Sequence, residues 1–247
     1  MQRYFIKGNQ INNNIVTIDE ADSHHIKNVM RMKENEHVIV CSLDENEESH
    51  TYLCSIVSLS KNVILEINEE LYENNELLFN VTIAHGLVKR DKQEEVVRRL
   101  VELGAYAYLP VLMQRSVIKI DQSKRQFTND RFERIVKEAS EQSERNRLMK
   151  LLDIVTIKEL INSFENYDLV LFASVASKND LSLKEQMKVS NAKNILVIVG
   201  PEGGFSEKEI ELIESTKAKT MSFGKRVLRT ETAPLYAMSV LAYEGEK

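Results

Sequence analysis

Two runs of this chain, Leu169–Ala173 (LVLFA) and Ile195–Val199 (ILVIV), are apolar at every position. A strand with one wet face alternates apolar and polar residues, so an unbroken apolar strand has to be covered on both faces. Such strands belong to parallel sheets with helices packed on either side, and the flanking sequence fits that arrangement. LFNVTIAHGL (78–87) and AYLPVLM (107–113) read as two more strands, and TMSF (220–223) as a short last one. Helical spacing marks about Lys92 to Leu103, closed by Gly104 in a left-handed cap. It marks 130–144 as well, with Phe132, Ile135, Val136 and Ala139 on one face. Ser206 to Glu209 (SEKE) is a capping box opening a helix to about Lys217, and a final helix runs from about Ala233 to Tyr243 with Pro234 in its first turn. The fold class expected here is α/β with a largely parallel sheet.

The first seventy residues differ. NNIVTI, EHVIVCSL, TYLCSIVSLS and NVILEINEE are short β-branched runs at the spacing of a small barrel or sandwich. One helical stretch, DSHHIKNVMRM, interrupts them, with Asp22 or Ser23 as its cap. Composition and period change at EELYENNE (69–76), which predicts two domains, 1–72 and 73–247. No apolar run is long enough to cross a bilayer, and MQRYFIKGNQ has no apolar signal core, so no membrane association and a cytosolic location are expected. Cys41 and Cys54 lack zinc spacing, the five histidines fit no metal pattern, and no metal is expected. The net charge of -5 hides an asymmetry: residues 1–70 hold 6 Lys/Arg against 12 Asp/Glu, whereas 84–150 hold 15 against 10. Distribution, more than the sum, bears on binding to nucleic acid, although charge runs are commonly solvated helix faces.

Four stretches can carry chemistry. Gly200-Pro201-Glu202-Gly203-Gly204 follows the apolar strand 195–199 and precedes a capped helix. Ligands of open α/β sheets sit at such strand ends, and glycines admit close backbone approach. A tight turn explains the stretch equally well, while phosphate-loop and dinucleotide fingerprints are both absent. Phe223 to Pro234 (FGKRVLRTETAP) sets Val227 and Leu228 among charges, as if covering something, and Thr230 or Thr232 can cap the helix that follows. In 138–150, Arg145, Arg147 and Lys150 suit phosphate contacts, with Glu141 and Gln142 beside them. In 89–99, Lys89, Arg90 and Lys92 do likewise. Both are also ordinary for solvated helix ends.

GPEGGFSEKEIE and FGKRVLRTETA together resemble the bacterial small-subunit ribosomal RNA uracil-N3 methyltransferases of the SPOUT superfamily. HHIKNVMRMKENE (24–36), VELG (101–104), QRSVIK (114–119) and EASEQSERNR (138–147) match in the same order, so the resemblance covers nearly the whole chain. It implies a PUA-like, RNA-binding β-barrel followed by a SPOUT α/β domain with a C-terminal trefoil knot, S-adenosyl-L-methionine as cofactor, 16S rRNA of the small subunit as partner, and a homodimer. Cofactor binding then falls to the strand ends Leu171, Phe172, Ala173 and Val199, to Gly200, Gly203 and Gly204, and to Phe223, Gly224, Val227, Leu228 and Thr230. Arg229 is the first candidate for catalysis, with Glu202 or Glu231 orienting it or accepting a proton. Arg31, Lys89, Arg90, Arg115, Arg145 and Arg147 are the RNA-binding candidates. A non-catalytic RNA-binding assembly protein and a SPOUT enzyme acting on another RNA are the alternatives.

Overall fold

A computed structural model describes residues 1–44, 48–120, 125–173 and 191–245. The chain divides into two compact units: Met1–Glu76 with Ser140–Leu148, and Leu77–Ala139 with Met149–Lys247.

The first unit is built on a six-stranded sheet in the order β1-β4-β5-β6-β3-β2. Its strands are β1 (Arg3–Ile6), β2 (Ile11–Asn12), β3 (Ile15–Thr17), β4 (His37–Leu43), β5 (Ser49–Ser58) and β6 (Ile64–Leu71). All neighbours run antiparallel except β1 and β4, which are parallel. Period-two alternation sends Tyr4, Ile6, Val38, Val40, Cys54, Ile56 and Leu65 into one core, closed by Ile26. That isoleucine lies just beyond α1 (Glu20–His24), which passes into a single π-turn over His25–Val29. The cap of α1 is neither Asp22 nor Ser23 but Asp19, whose carboxylate accepts from the Asp22 N–H at 2.9 Å. The Ser23 hydroxyl instead accepts from the Val63 N–H at 2.8 Å, inside the unit.

Ser140–Leu148 is fastened to this unit by polar groups. Glu76 forms an ion pair with Arg145, and its Oε1 accepts from the Asn146 N–H at 3.0 Å and the Arg147 N–H at 3.3 Å. Arg3 is paired with Glu73 and donates to the Arg145 carbonyl at 2.9 Å. Asn146 donates to Thr51 Oγ1 at 2.8 Å.

The second unit holds a seven-stranded sheet, parallel throughout, in the order β10-β8-β7-β12-β11-β13 with β9 alongside β8. The strands are β7 (Asn80–Gly86), β8 (Ala107–Leu112), β9 (Lys150–Leu151), β10 (Val155–Thr156), β11 (Leu169–Ala173), β12 (Asn194–Val199) and β13 (Lys219–Met221). The continuous apolar runs are explained by two cores. Ile195, Val197 and Val199 point to one face, and Leu196 and Ile198 to the other. The first face is covered by α2 (Arg90–Glu102), α3 (Asp130–Gln142) and α6 (Thr232–Gly245) through Val97, Leu100, Ile135, Met238 and Leu241. The second is covered by α4 (Ile157–Asn162) and α5 (Glu207–Glu214), through Ile157, Leu160 and Ile213. No described helix is long and apolar enough to cross a membrane.

Candidate functional site

Because every strand of the second sheet is parallel, the carboxyl ends of β7, β8, β12, β11 and β13 share one edge, where open α/β sheets place their ligands. Gly200–Gly204 follows β12, Ser222–Glu231 follows β13, and α2 opens just after β7. The capping box that starts α5 also serves this edge. Glu209 accepts from the Ser206 N–H and hydroxyl at 2.8 Å each, and its second oxygen accepts from the Gln114 N–H at 2.7 Å. One buried carboxylate therefore joins the glycine loop to the segment after β8.

The backbone is close-packed there. A Cβ on Gly86 would stand 2.5 Å from Pro201, and one on Gly203 would stand 2.8 Å from Arg115 Cβ, so neither position accommodates a side chain without movement. Gly204 (φ +66) and Gly224 (φ +90) are left-handed, and a Cβ at either would meet nothing within 4 Å. Open space therefore stands beside the backbone at both glycines, where a ligand can approach without meeting a side chain.

The two loops are tied together from beneath by a histidine. His85, wholly buried at the end of β7, has Nε2 3.0 Å from the Thr230 carbonyl and 2.9 Å from Thr230 Oγ1. A carbonyl only accepts, which assigns the proton to Nε2; Nδ1, 3.1 Å from the Tyr108 hydroxyl, then accepts from that phenol. The Thr230 hydroxyl in turn donates to the Gly200 carbonyl at 2.7 Å. The result is a directed chain from Tyr108 through His85 and Thr230 to Gly200. Burial lowers the His85 pKa to about 4, so the ring is neutral at pH 7. Thr230 is thus not a helix cap: its hydroxyl is spent on locking the glycine loop to the loop after β13.

A cation joins the same loops at the surface. Lys92 Nζ lies 3.4 Å from Glu202 Oε1 and 3.4 Å from Glu231 Oε2. Desolvation works against its charge, but the two carboxylates outweigh it and raise the Lys92 pKa. The Glu231 carboxyl is held below its ordinary range, first by its own backbone N–H and then by Lys92. Arg229 is exposed, while its carbonyl accepts from the Thr232 and Ala233 N–H groups at 2.9 Å and starts α6. The backbone of Arg229 is therefore anchored by the helix and by Thr230, and its side chain extends outward.

Of the other residues expected at a cofactor site, Gly200, Gly203, Gly204, Gly224, Val227, Leu228 and Thr230 come to this edge. Val227 is 77% exposed, an apolar side chain in open solvent, and Leu228 leans on the core. Phe223 packs edge-on against Tyr236 of α6, with centroids 5.5 Å apart. Leu171, Phe172 and Val199 are buried in the sheet, so they offer the site backbone rather than side chains; Ala173 alone of that group is partly exposed. Lys89, Arg90 and Arg115 are exposed on the same edge, with Arg90 on Glu94 at 3.3 Å and Arg115 Nη1 donating to the Gly203 carbonyl at 3.3 Å. Arg31, in the first unit, is exposed at φ 53.

Arg145 does not fit the role expected of it. It is 3% exposed, and its guanidinium is held by Glu76, which leaves no surface for a phosphate. Arg147, partly exposed, keeps Nε 3.5 Å from the same carboxylate. Conversely, His85 and the close contact at Gly86 escaped sequence reasoning. The signal was present as a histidine followed by glycine at the end of a buried strand.

The sequence profile of an RNA methyltransferase domain matches residues 75–242, and that of an RNA methyltransferase PUA domain matches residues 18–67. A ribosomal RNA small subunit methyltransferase E of Bacillus subtilis is 38% identical over 254 residues, covering 100% of this chain and 98% of that protein. One from Synechocystis is 32% identical, covering 96% of this chain and 76% of that protein. A crystal structure of the Neisseria gonorrhoeae ribosomal RNA small subunit methyltransferase E bound to S-adenosyl methionine matches with a TM-score of 0.81 at 26% identity, covering 98% of this chain and 96% of that one.

Proposed function

The chain belongs to the ribosomal RNA small subunit methyltransferase E family, and we propose that it methylates N3 of one uridine in 16S rRNA with S-adenosyl-L-methionine as donor. The observation that carries this reading is the convergence of the glycine loop, the Arg229 loop and Lys92 on one sheet edge. The donor supplies an activated methyl group as a sulfonium. The chain has to bind it, align it with the base, and favour loss of the N3 proton.

The open backbone at Gly204 and Gly224 would take the adenosyl part, with Leu228 beneath it and the exposed Val227 free to cover it. Arg229 stabilises the negative charge that develops on the uracil oxygens as N3 loses its proton. The ionised form of Glu231 is stabilised first by its own N–H and then by Lys92, which suits holding the loop; we assign it to orienting the loop, and Glu202 to accepting the proton. Lys92 keeps both carboxylates turned to one place. Lys89, Arg90 and Arg115 rim the edge and suit RNA phosphates. Arg31 and Arg147 belong to a PUA-like, barrel-type RNA-binding unit. A trefoil knot in the second unit and a homodimer are part of the same proposal.

The test is incubation with labelled S-adenosylmethionine and, separately, unmodified small subunits, free 16S rRNA and tRNA, followed by mapping of the methylated base. Label at a uridine N3 of 16S rRNA is expected. Label in tRNA or on a ribose would transfer the reading to another substrate, and cofactor binding without any transfer would defeat it.

The His85 chain yields a pH prediction. The folded-state pKa of about 4 lies below the ordinary 6.5, so as pH falls through that window the unfolded chain takes up the proton first. Stability from His85 is complete above about pH 6.5 and is lost between about 6.5 and 4, by roughly 3 kcal/mol at one 1.36 kcal/mol step per pH unit. Urea unfolding at pH 7 and pH 4.5 should show a smaller drop for His85→Gln than for the unaltered protein. Equal drops would refute the assignment.

A further inference from the structure

A cavity of about 310 Å³ lies in the first unit, between the outer face of β1 and β4 and the segment that ends in Leu148. Its walls combine two chemistries. Phe5 and Leu148 are apolar, whereas Lys7, Ser42, Asn146 and Arg147 are polar or cationic. Among the described residues that line it, none is acidic.

The wall formed by 146–148 is fixed in advance. Asn146 donates to Thr51 Oγ1 at 2.8 Å and accepts from the Asn75 N–H at 2.7 Å, while Glu76 holds the N–H groups of Asn146 and Arg147. On the opposite wall, Phe5 sits in β1 in register with Cys41 of β4. A cavity framed by a sheet and a pinned segment does not have to be assembled by its ligand.

We infer that this cavity receives one unpaired nucleotide of the RNA substrate, its base against Phe5 and Leu148 and its phosphate toward Lys7 and Arg147. The inference rests on the RNA-methylating function proposed above. Size and chemistry choose the occupant. The volume is at the low end of the roughly 300–1,000 Å³ of small-ligand sites, which suits a single nucleotide and not a duplex. Sequence-specific RNA recognition works on splayed, unstacked bases laid against apolar or aromatic surface, with cations tracking the backbone. The acidic balance of residues 1–70 makes a cation-lined pocket in this unit a local feature and not a general basic field.

Lys7 is exposed and its side chain is not part of the core, so Lys7→Glu tests the site without endangering the fold. Full-length protein is titrated with single-stranded and duplex RNA oligonucleotides of one composition and with unmodified 16S rRNA transcript, across a range of salt. Lys7→Glu is expected to weaken single-strand binding about tenfold and reduce the salt slope by about one. Duplex binding and S-adenosylmethionine affinity should stay unchanged, and KM for the transcript should rise with kcat preserved. Phe5→Leu should weaken single-strand binding without changing the salt slope. Unaltered affinity and slope in Lys7→Glu, or an equal loss on duplex, would overturn the pocket. An unaltered protein that methylates none of its RNAs defeats the parent function, whereas methylation with normal KM in Lys7→Glu defeats only the pocket.

Discussion

Replacing Arg229 by alanine is expected to lower methyl transfer about 10²–10³-fold while S-adenosylmethionine binding changes little. The side chain is exposed, and the backbone contacts that position it do not depend on it. The Arg229 carbonyl receives two N–H groups of α6, and Thr230 is held by His85 and Gly200. An alanine there keeps the loop and removes only the guanidinium. Arg229→Lys should recover part of the rate, since an ammonium restores charge but not the planar fork that meets two acceptors at once. Single-turnover transfer to unmodified small subunits, with cofactor affinity measured by calorimetry, separates the two effects. A rate within threefold of the unaltered enzyme would sink the assignment. A matching loss of cofactor affinity would make Arg229 a binding residue instead.

The parallel sheet was legible because burial on both faces leaves unbroken apolar runs, and the alternate residues of β12 do point into different cores. Shorter pieces were not. α4 spans six residues, too few for a 3.6-residue period to emerge, although its capping box Thr156–Glu159 stands plainly in the sequence. β9 and β10 have two residues each, and only their pairing with β8 defines them. The first helix was expected to start at Asp22 or Ser23. Asp19 won because Ser23 is drawn into the unit by Val63, a contact 40 positions away that local pattern does not register.

At the candidate site, composition exposed the loops but not their links. GPEGG and the stretch from Phe223 to Thr230 stand out by residue type, and they do reach one edge. What joins them lies at long range: His85 and Thr230 are 145 positions apart, and Lys92 reaches Glu231 across 139. His85 sits in an apolar strand, where a histidine reads as packing. The opposite error occurred at Arg145. A cation in the polar run SERNR looks solvated in one dimension, yet a carboxylate 69 positions earlier takes it out of water. Sequence shows which residues are charged, and the fold decides which of them remain available.

That buried cluster supports the second large expected effect. Glu76→Ala should lower stability by about 3–5 kcal/mol, the range for removing one partner of a buried ion pair. The Glu76 and Arg145 side chains are 7% and 3% exposed, so the alanine takes a carboxylate partner from an arginine whose charge is kept away from water. The loss extends to the backbone, since the N–H groups of Asn146 and Arg147 both use Glu76 Oε1. Glu76→Gln retains an acceptor for those groups but not the charge, and should fall between the two. Arg147→Ala should cost far less, because Arg145 keeps Glu76 neutralised when the partly exposed cation is gone. Equilibrium urea unfolding of the three variants gives the ranking, with cofactor affinity as a check that the second unit is intact. If Glu76→Ala cost under 1 kcal/mol, the polar fastening of Ser140–Leu148 to the first unit would be a consequence of apolar packing instead of its cause.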